Sequence, residues 1–177
     1  IFFSTIHRNN EDCYNLQIYK ANLENIDQLE FRIFYNMEEC LNPNDYKEFN
    51  IGQSGGRIIF VEESLIFSTG GFRTRVKPQD DNSYYGKILE IDLNNADAKI
   101  LSKGHRNIQG LSSFKNIIIS TEHGPFGGDE VNVHKNLLNN EIVPNYGWPI
   151  SSYGKHYPTV VQFHKTNNNY EKLLEIA

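Results

Sequence analysis

The sequence contains no apolar run long enough to cross a membrane. A membrane-spanning helix needs about 20 consecutive apolar residues, and no stretch of the 177 residues approaches that length. The chain also shows no basic segment followed by an apolar one, which is the pattern of a secretory signal. We therefore expect no membrane span, and no targeting segment indicates where the protein resides.

The sequence also has no excess of basic residues. It has 17 Lys and Arg against 22 Asp and Glu, which gives a net charge of -5 at pH 7. A surface that binds nucleic acid needs clustered Lys and Arg to neutralise phosphates, so we expect no nucleic-acid partner. The composition is 38% hydrophobic and 12% aromatic, which predicts a folded domain with a buried core rather than a disordered chain.

Cysteine is scarce, with only Cys13 and Cys40 in the sequence. The pair permits one disulfide, but two small buried thiols explain it equally well. There is no Cys-x-x-Cys motif, and the six histidines show no two-ligand spacing on a predicted helix. We therefore expect no zinc site.

The sequence is rich in short runs of Ile, Val, Phe and Tyr that are bounded by Gly, Asn and Asp. Helical periodicity is almost absent, so the pattern predicts an all-β protein. Three of the runs resemble one another: I-F-F-S-T at 1–5, L-I-F-S-T at 65–69 and I-I-I-S-T at 117–121. Further strand-like segments accompany the second run at 57–61, 86–93 and 98–101, and the third at 109–114, 129–134 and 146–150.

A unit of about 40 to 50 residues with four antiparallel strands is typical of a β-propeller blade. We predict a single partial β-propeller domain over 1–177, with about three four-stranded blades at roughly 1–50, 51–103 and 104–160. Propellers close with about four to eight blades, so we expect further blades, or a homo-oligomer, to complete the ring. A β-sandwich would explain the strands but not their repetition.

Functional residues of propellers usually lie in loops at one end of the central channel. The stretch T-E-H-G-P-F-G-G-D-E-V-N at 121–132 follows a repeated strand and is therefore a candidate site. Its carboxylates, on Glu122, Asp129 and Glu130, are compatible with acid/base chemistry, a metal site, or simple turn capping and solvation. For His123 we predict a hydrogen bond with the backbone rather than a role as a base.

Three motifs together resemble a known family. G-H-R-N-I-Q-G-L at 104–111, E-H-G-P-F-G-G-D-E-V-N at 122–132 and N-Y-G-W-P at 145–149 resemble the soluble PQQ-dependent aldose sugar dehydrogenases, the glucose/sorbosone dehydrogenase family. G-G-R-I-I-F at 55–60 and G-K-I-L-E-I-D-L at 86–93 extend the resemblance, which covers about the middle half of a family member. It implies a six-bladed propeller that oxidises aldose sugars with PQQ and calcium, in the periplasm or outside the cell.

The resemblance assigns cofactor contacts to Arg106, Asn107 and Tyr157. PQQ is an ortho-quinone with three carboxylates, so its pocket needs cations and amide donors. Arg106 offers a planar fork of donors and a permanent charge, which would also stabilise negative charge on the reduced quinone. Tyr157 matches a tyrosine that lies beside the cofactor. Without the resemblance, Arg106 would be interpreted as a structural link between blades.

The resemblance also assigns calcium ligands. The backbone carbonyls of Gly124 and Pro125 match positions that bind a calcium in contact with PQQ, and calcium accepts carbonyl oxygens readily. Glu130 and the carbonyl of Tyr146 match a further calcium site that clamps the same loop.

The sequence departs from the family pattern where the substrate is expected. The family's general base is a histidine two residues ahead of G-G-R, and that position is Gln53, whose neutral amide cannot accept a proton near pH 7. Gly71 stands where the family often has an acid. Two hypotheses follow: a sugar dehydrogenase whose base comes from elsewhere, and a noncatalytic, calcium-stabilised propeller that binds a sugar or a protein partner.

Overall fold

Three antiparallel sheets form the fold. The computed structural model describes residues 1–24, 26–61 and 63–155, and its helical elements in those ranges are short 3-10 turns. The first sheet has the order β1-β2-β3, with strands Phe2–Arg8, Tyr14–Lys20 and Arg32–Asn36. The second has the order β4-β5-β6-β7, with strands Gly55–Val61, Ser64–Thr69, Lys87–Asp92 and Ala98–Lys103. The third has the order β10-β9-β8, with strands Ile108–Phe114 (β8), Ile117–Glu122 (β9) and Glu130–Lys135 (β10).

The sheets stack face to face, and the second sheet is covered on both faces. Successive side chains of a strand point to opposite faces, so β5 sends Leu65 and Phe67 to one side and Ile66 to the other. Leu65 and Phe67 belong to a core shared with Leu16 of the first sheet, whereas Ile66 packs in a core shared with Ile118 of the third. This row of antiparallel sheets is the arrangement of consecutive propeller blades.

The repeated strands are β1, β5 and β9, and their burial differs. Every residue of β5 after Ser64 is buried, which agrees with a strand covered on both faces. Burial alternates along β9, because the outer face of the third sheet is exposed there. That face carries Ile119, Val131, Val133 and Phe114, which are 37%, 69%, 51% and 65% exposed.

The segment at 146–150, predicted as a strand, is a loop. It lies along the end of β7, where Lys103 N donates to Pro144 O at 3.0 Å and Tyr146 N donates to Lys103 O at 2.8 Å. Trp148 N then donates to Gly104 O at 2.9 Å. Gly147, at φ 94°, turns the chain between these contacts, so the alternating large residues of this segment do not form a ladder. In the described residues the third sheet therefore has three strands.

A disulfide joins Cys13 and Cys40, whose Cα atoms are 5.6 Å apart, and so decides between the two alternatives left open by the sequence. Beside it, Tyr14 and Leu41 exchange backbone hydrogen bonds of 2.9 Å. The hydroxyl of Tyr85 donates to Tyr14 O at 2.8 Å, so the second sheet contacts this cross-link directly. Within the described residues, no helix is long and apolar enough to span a membrane.

We predict that removing the cross-link destabilises the chain. The bond closes a separation of 27 residues, and loss of that constraint on the unfolded state corresponds to about 3 to 4 kcal/mol. The Cys13→Ser/Cys40→Ser variant should lower the free energy of unfolding by that amount in urea titrations. Reduced wild-type protein should unfold at the same urea concentration as the variant, and an unchanged midpoint in both would contradict the prediction.

Candidate functional site

A depression of about 450 Å³ brings together most of the predicted site residues. Three segments line it: the turn at 50–53, the link between β7 and β8, and the loop after β9. The lining residues are Asn50, Gly52, Gln53, Arg106, Asn107, His123, Gly124, Pro125 and Asp129. We call this the Arg106 depression. Four of the positions that the motifs assign to the cofactor and calcium, Arg106, Asn107, Gly124 and Pro125, therefore share this lining with Gln53.

Asn107 connects the second and third sheets at the base of the Arg106 depression. Its Oδ1 accepts hydrogen bonds from Gly55 N at 3.1 Å and from Gln109 Nε2 at 2.9 Å. Its Nδ2 makes only a long contact, 3.4 Å, with Gly52 O. The amide oxygen is thus committed to the protein, and the Nδ2 group is the part of the side chain suited to donate to a ligand.

Arg106 is 6% exposed and is held on several sides. Its Nη1 donates to His123 O at 2.7 Å, and its guanidinium carbon lies 5.3 Å from the centre of the Trp148 ring. Its own backbone oxygen accepts from Gly71 N at 2.9 Å. The guanidinium is therefore a permanent positive charge in a defined position at the edge of the depression.

The structure explains why Gly71 is not an acid. A Cβ atom there would lie 3.1 Å from Pro78 Cγ, closer than most real contacts, so a larger side chain requires the Pro78 ring to move. The next residues adopt left-handed backbone conformations, with φ of 49° at Phe72, 59° at Arg73 and 60° at Arg75. Such strain persists only where the surrounding contacts fix it. Here Glu48 fixes it, since its Oε2 accepts from Arg75 Nε at 3.1 Å and Nη2 at 2.7 Å.

Gln53 ends the 3-10 turn Ile51–Gln53 and is half-buried. Its carbonyl accepts from Phe72 N at 3.0 Å, which ties the turn to the strained loop. The same lining contains His123 and Asp129, whose Nδ1 and Oδ2 atoms are 3.6 Å apart at the surface. His123 N donates to Asn107 O at 3.0 Å, and the His123 ring faces Asp129.

Glu122 and Asp129 have different environments. Asp129 caps the loop, because its Oδ1 accepts from Gly124 N at 3.0 Å. Glu122 is 5% exposed and is not a solvated loop residue. Its Oε1 lies 2.9 Å from His105 Nδ1 and accepts from Asn132 Nδ2 at 2.9 Å, and its Oε2 accepts from Arg106 N at 2.7 Å.

The sequence interpretation missed His105 and His134, which complete this buried network. Burial would raise the pKa of Glu122, but His105 and the N–H groups of Arg106 and Asn107 outweigh it and lower the pKa below its ordinary value. Burial and the neighbouring His105 lower the pKa of His134 to about 3, so that ring is neutral. The burial of Glu122 itself could have been inferred from the sequence. Side chains alternate along β9, so Ser120 and Glu122 lie on the same face of the strand.

A second depression, of about 420 Å³, brings Glu130 and Tyr146 together. Asn132, Asn145, Gly147, Ser151, Ser152 and Tyr153 complete its lining. Burial, together with the nearby Glu122, raises the pKa of Glu130, and Asn132 Nδ2 donates to its Oε2 at 3.3 Å. We call this the Glu130 depression; its half-buried carboxylate is suited to a cation.

The residue types at these positions are compatible with the calcium and PQQ that the family resemblance implies. A Cβ at Gly124 would collide with Gly128 O, so the tight turn that presents these carbonyls requires glycine. The carbonyl of Pro125 accepts from Gly128 N at 2.8 Å and keeps a second lone pair. No cluster of three or more His, Cys, Asp or Glu suited to a metal occurs in the part of the chain that the structure describes, so an ion here would depend on carbonyl oxygens and a ligand's own oxygens. Arg106 and the Asn107 amide suit an anionic quinone; Tyr157 lies outside the described residues.

Stacked propeller blades with a depression lined by Arg106 and polar residues at their loop end define a class: a β-propeller with a polar depression between its blades. The sequence matches the family model for glucose/sorbosone dehydrogenase over residues 2–175. The chain therefore belongs to the glucose/sorbosone dehydrogenase family. The match covers nearly the whole chain and agrees with the family that the motifs indicated.

Curated relatives support the same family. The aldose sugar dehydrogenase YliI of Escherichia coli is 32% identical over 119 residues, which cover 58% of this chain and 30% of that protein. The protein slr1608 of Synechocystis is 31% identical over 144 residues, covering 63% of this chain and 34% of that protein. The chain thus spans about a third of the length of these relatives.

Solved structures confirm the fold. A glucose dehydrogenase crystal structure superimposes with a TM-score of 0.70 and 24% identity, over 88% of this chain and 46% of that one. The apo-form of the soluble aldose sugar dehydrogenase of Escherichia coli gives 0.69 and 24%, over 88% and 46%. The PQQ-bound aldose sugar dehydrogenase of Streptomyces coelicolor gives 0.62 and 22%, over 85% and 44%. The chain is a partial β-propeller, as predicted.

We predict that Glu122→Gln destabilises the chain and changes its response to acid. The wild-type carboxylate has a lowered pKa, so its contribution is present above about pH 4.5 and is lost as the pH falls through the folded-state pKa. At pH 7 the variant should lose about 1 to 3 kcal/mol in the free energy of unfolding, because His105 and Arg106 N lose a charged acceptor. Urea titrations from pH 3 to 7 measure both effects.

The matched control is Glu141→Gln, which changes an exposed carboxylate. It should follow the wild-type curve at every pH. If Glu122→Gln follows that curve too, the buried network does not have the importance assigned to it.

Proposed function

We propose that the protein is a PQQ- and calcium-dependent dehydrogenase of aldose sugars. The observation that carries the proposal is the Arg106 depression, in which Arg106, Asn107, Gly124 and Pro125 lie side by side. Membership of the glucose/sorbosone dehydrogenase family and the likeness to a PQQ-bound aldose sugar dehydrogenase support it.

Arg106 would hold and neutralise a carboxylate or a quinone oxygen, and Asn107 Nδ2 would donate to a neighbouring oxygen. The carbonyls of Gly124 and Pro125 would bind calcium at the same edge. When bound, PQQ supplies the hydride acceptor for oxidation of the sugar, with calcium as its Lewis acid. His123 O and the Trp148 ring already fix the guanidinium, so little reorganisation is needed when negative charge develops beside it.

The Glu130 depression is proposed as a second calcium site. Its half-buried carboxylate has the Asn132 amide beside it and lies close to Glu122, another negative charge. A cation bound by Glu130 and the Tyr146 carbonyl would join the loop after β9 to the segment along β7. Because the loop after β9 also lines the Arg106 depression, a cation bound there would stabilise that depression as well.

The chain lacks the expected base for taking a proton from the sugar hydroxyl. Gln53 is neutral at the position of the expected base, and Gly71 stands where the family often has an acid. The absence of the expected residues at 53 and 71 favours a second candidate function, a noncatalytic, calcium-stabilised propeller that binds a sugar or a protein partner. The two candidates share the cofactor side of the site and differ in whether a base reaches the sugar hydroxyl.

The disulfide supports a periplasmic or extracellular location, because such bonds persist in oxidising compartments. The exposed apolar face of the third sheet supports a propeller completed by further blades or by a second copy of the chain. An aldose sugar is the proposed substrate, or ligand, in either candidate function.

Dye reduction separates the two candidates. Full-length protein with PQQ and calcium should reduce an artificial electron acceptor when an aldose is added, and absorbance should confirm bound PQQ. If protein with bound PQQ does not reduce the acceptor, the noncatalytic candidate is favoured. Gln53→His should then raise the rate by about two to four orders of magnitude if only the base is missing. The control Gln28→His adds a histidine to the first sheet's turn Ile26–Gln28 and should gain nothing.

Arg106→Met tests the cofactor contact itself. Losing a charged hydrogen-bond donor corresponds to about 1.5 to 3 kcal/mol, so we expect PQQ affinity to fall about 10- to 100-fold in an absorbance titration. Arg32→Met removes an exposed arginine of the first sheet and should leave affinity unchanged. Equal affinity for both variants would remove Arg106 from the proposed site.

A further inference from the structure

Lys87, the first residue of β6, has a fully buried side chain. Its Nζ donates to three backbone carbonyls: Lys77 O at 2.7 Å, Pro78 O at 3.1 Å and Tyr85 O at 2.9 Å. Three acceptors match the three N–H groups of an ammonium. Burial lowers the pKa of Lys87 to about 7, so below that pH the ammonium form occupies this carbonyl cage. A buried charge persists only where such partners compensate for lost water.

The caged turn, Lys77–Gln79, supports two segments of the site. Gln79 is 7% exposed, and its Nε2 donates to Trp148 O at 2.6 Å. Asn145 Nδ2 donates back to Gln79 Oε1 at 2.7 Å, which completes a link to the N-Y-G-W segment. Pro78 O also accepts from Gly104 N at 3.0 Å, just before Arg106. The turn therefore holds both the segment that carries Trp148 and the segment that carries Arg106.

The Trp148 ring connects this support to the cationic group. It is 6% exposed and lies 5.3 Å from the guanidinium carbon of Arg106 and 5.0 Å from that of Arg75. A guanidinium over a tryptophan face is stabilised by cation–π attraction, which depends on where the ring lies. Movement of the ring would therefore move or release the guanidinium of Arg106.

We propose that Lys87 is a positioning residue for Arg106, acting through the turn Lys77–Gln79 and the indole of Trp148. An apolar side chain at this position would avoid the cost of burying a charge but would leave the three carbonyls without that donor. The ammonium thus fixes a turn that packing alone does not fix. The effect on cofactor affinity rests on the function proposed above, whereas the effect on Trp148 does not.

The first test uses fluorescence of the 177-residue chain at pH 6. Trp148 is its only tryptophan, so emission and acrylamide quenching report on this one ring. Lys87→Met should shift the emission to longer wavelength and increase quenching, measured well below the melting temperature. Lys87→Gln keeps two N–H donors and should shift it less. The control Lys99→Met changes a side chain of β7 that is 62% exposed and should leave the signal unchanged.

Gln79→Glu keeps the test decisive if Lys87→Met does not fold. It removes the donor to Trp148 O and leaves the carbonyl cage untouched, so it should reproduce the fluorescence shift. A purely structural lysine would lower the melting temperature while the Trp148 signal of the folded protein stayed at its wild-type value. That result, for either variant, would overturn the proposal.

The second test is PQQ affinity in the full-length protein. Lys87→Met should weaken it about 10-fold, as loss of supporting contacts does at metal sites. If Arg106→Met loses affinity and Lys87→Met does not, the proposed function stands and the positioning role fails. If Arg106→Met retains wild-type affinity, the proposed cofactor contact fails, and the fluorescence shift alone decides the role of Lys87.

Discussion

The buried carboxylate of Glu122 is the interaction on which the site's geometry depends. This carboxylate forms hydrogen bonds with the His105 ring, the backbone N–H of Arg106 and the Asn132 amide. It therefore connects β9, β10 and the link between β7 and β8. A buried charge with this many donors is costly to disturb, because each donor would be left without a partner. Glu122 thus holds the backbone of Arg106, while His123 O and the Trp148 ring hold its side chain.

Hydrogen bonds within the protein fix the side chains of Arg106 and Asn107 in the lining of the Arg106 depression. Arg106 donates to His123 O, and Asn107 links the second and third sheets through its Oδ1 while its Nδ2 makes a long contact with Gly52 O. Gln53 in the same lining offers a neutral amide, and a larger side chain at Gly71 would require Pro78 to move. These features support the proposed cofactor contacts more directly than proton abstraction from a sugar.

Much of the architecture could be predicted because short-range sequence patterns indicate the strands and their repetition. The repeated strands I-F-F-S-T, L-I-F-S-T and I-I-I-S-T predicted the stacked sheets of a partial propeller. The segment at 146–150 was misjudged because Tyr146 and Trp148 mimic strand alternation, while Gly147 and the contacts along β7 were not visible. Alternation along β9 indicated the face that carries Glu122, but the partners of Glu122 and Lys87 lie in turns and links whose conformation no sequence pattern indicated. The pairing of Cys13 with Cys40 likewise required the fold.

Asn107 has a consequence for how such a propeller can evolve. Its Oδ1 binds Gly55 N across the seam between β4 and β8, and the same residue lines the Arg106 depression. A mutation that lets one blade slide against the next would therefore displace an amide of the Arg106 depression even if the mutated residue lay far from it. Blade register and the geometry of the depression depend on the same side chain, so, if Asn107 has the proposed cofactor role, divergence at this seam is constrained by binding as well as by packing.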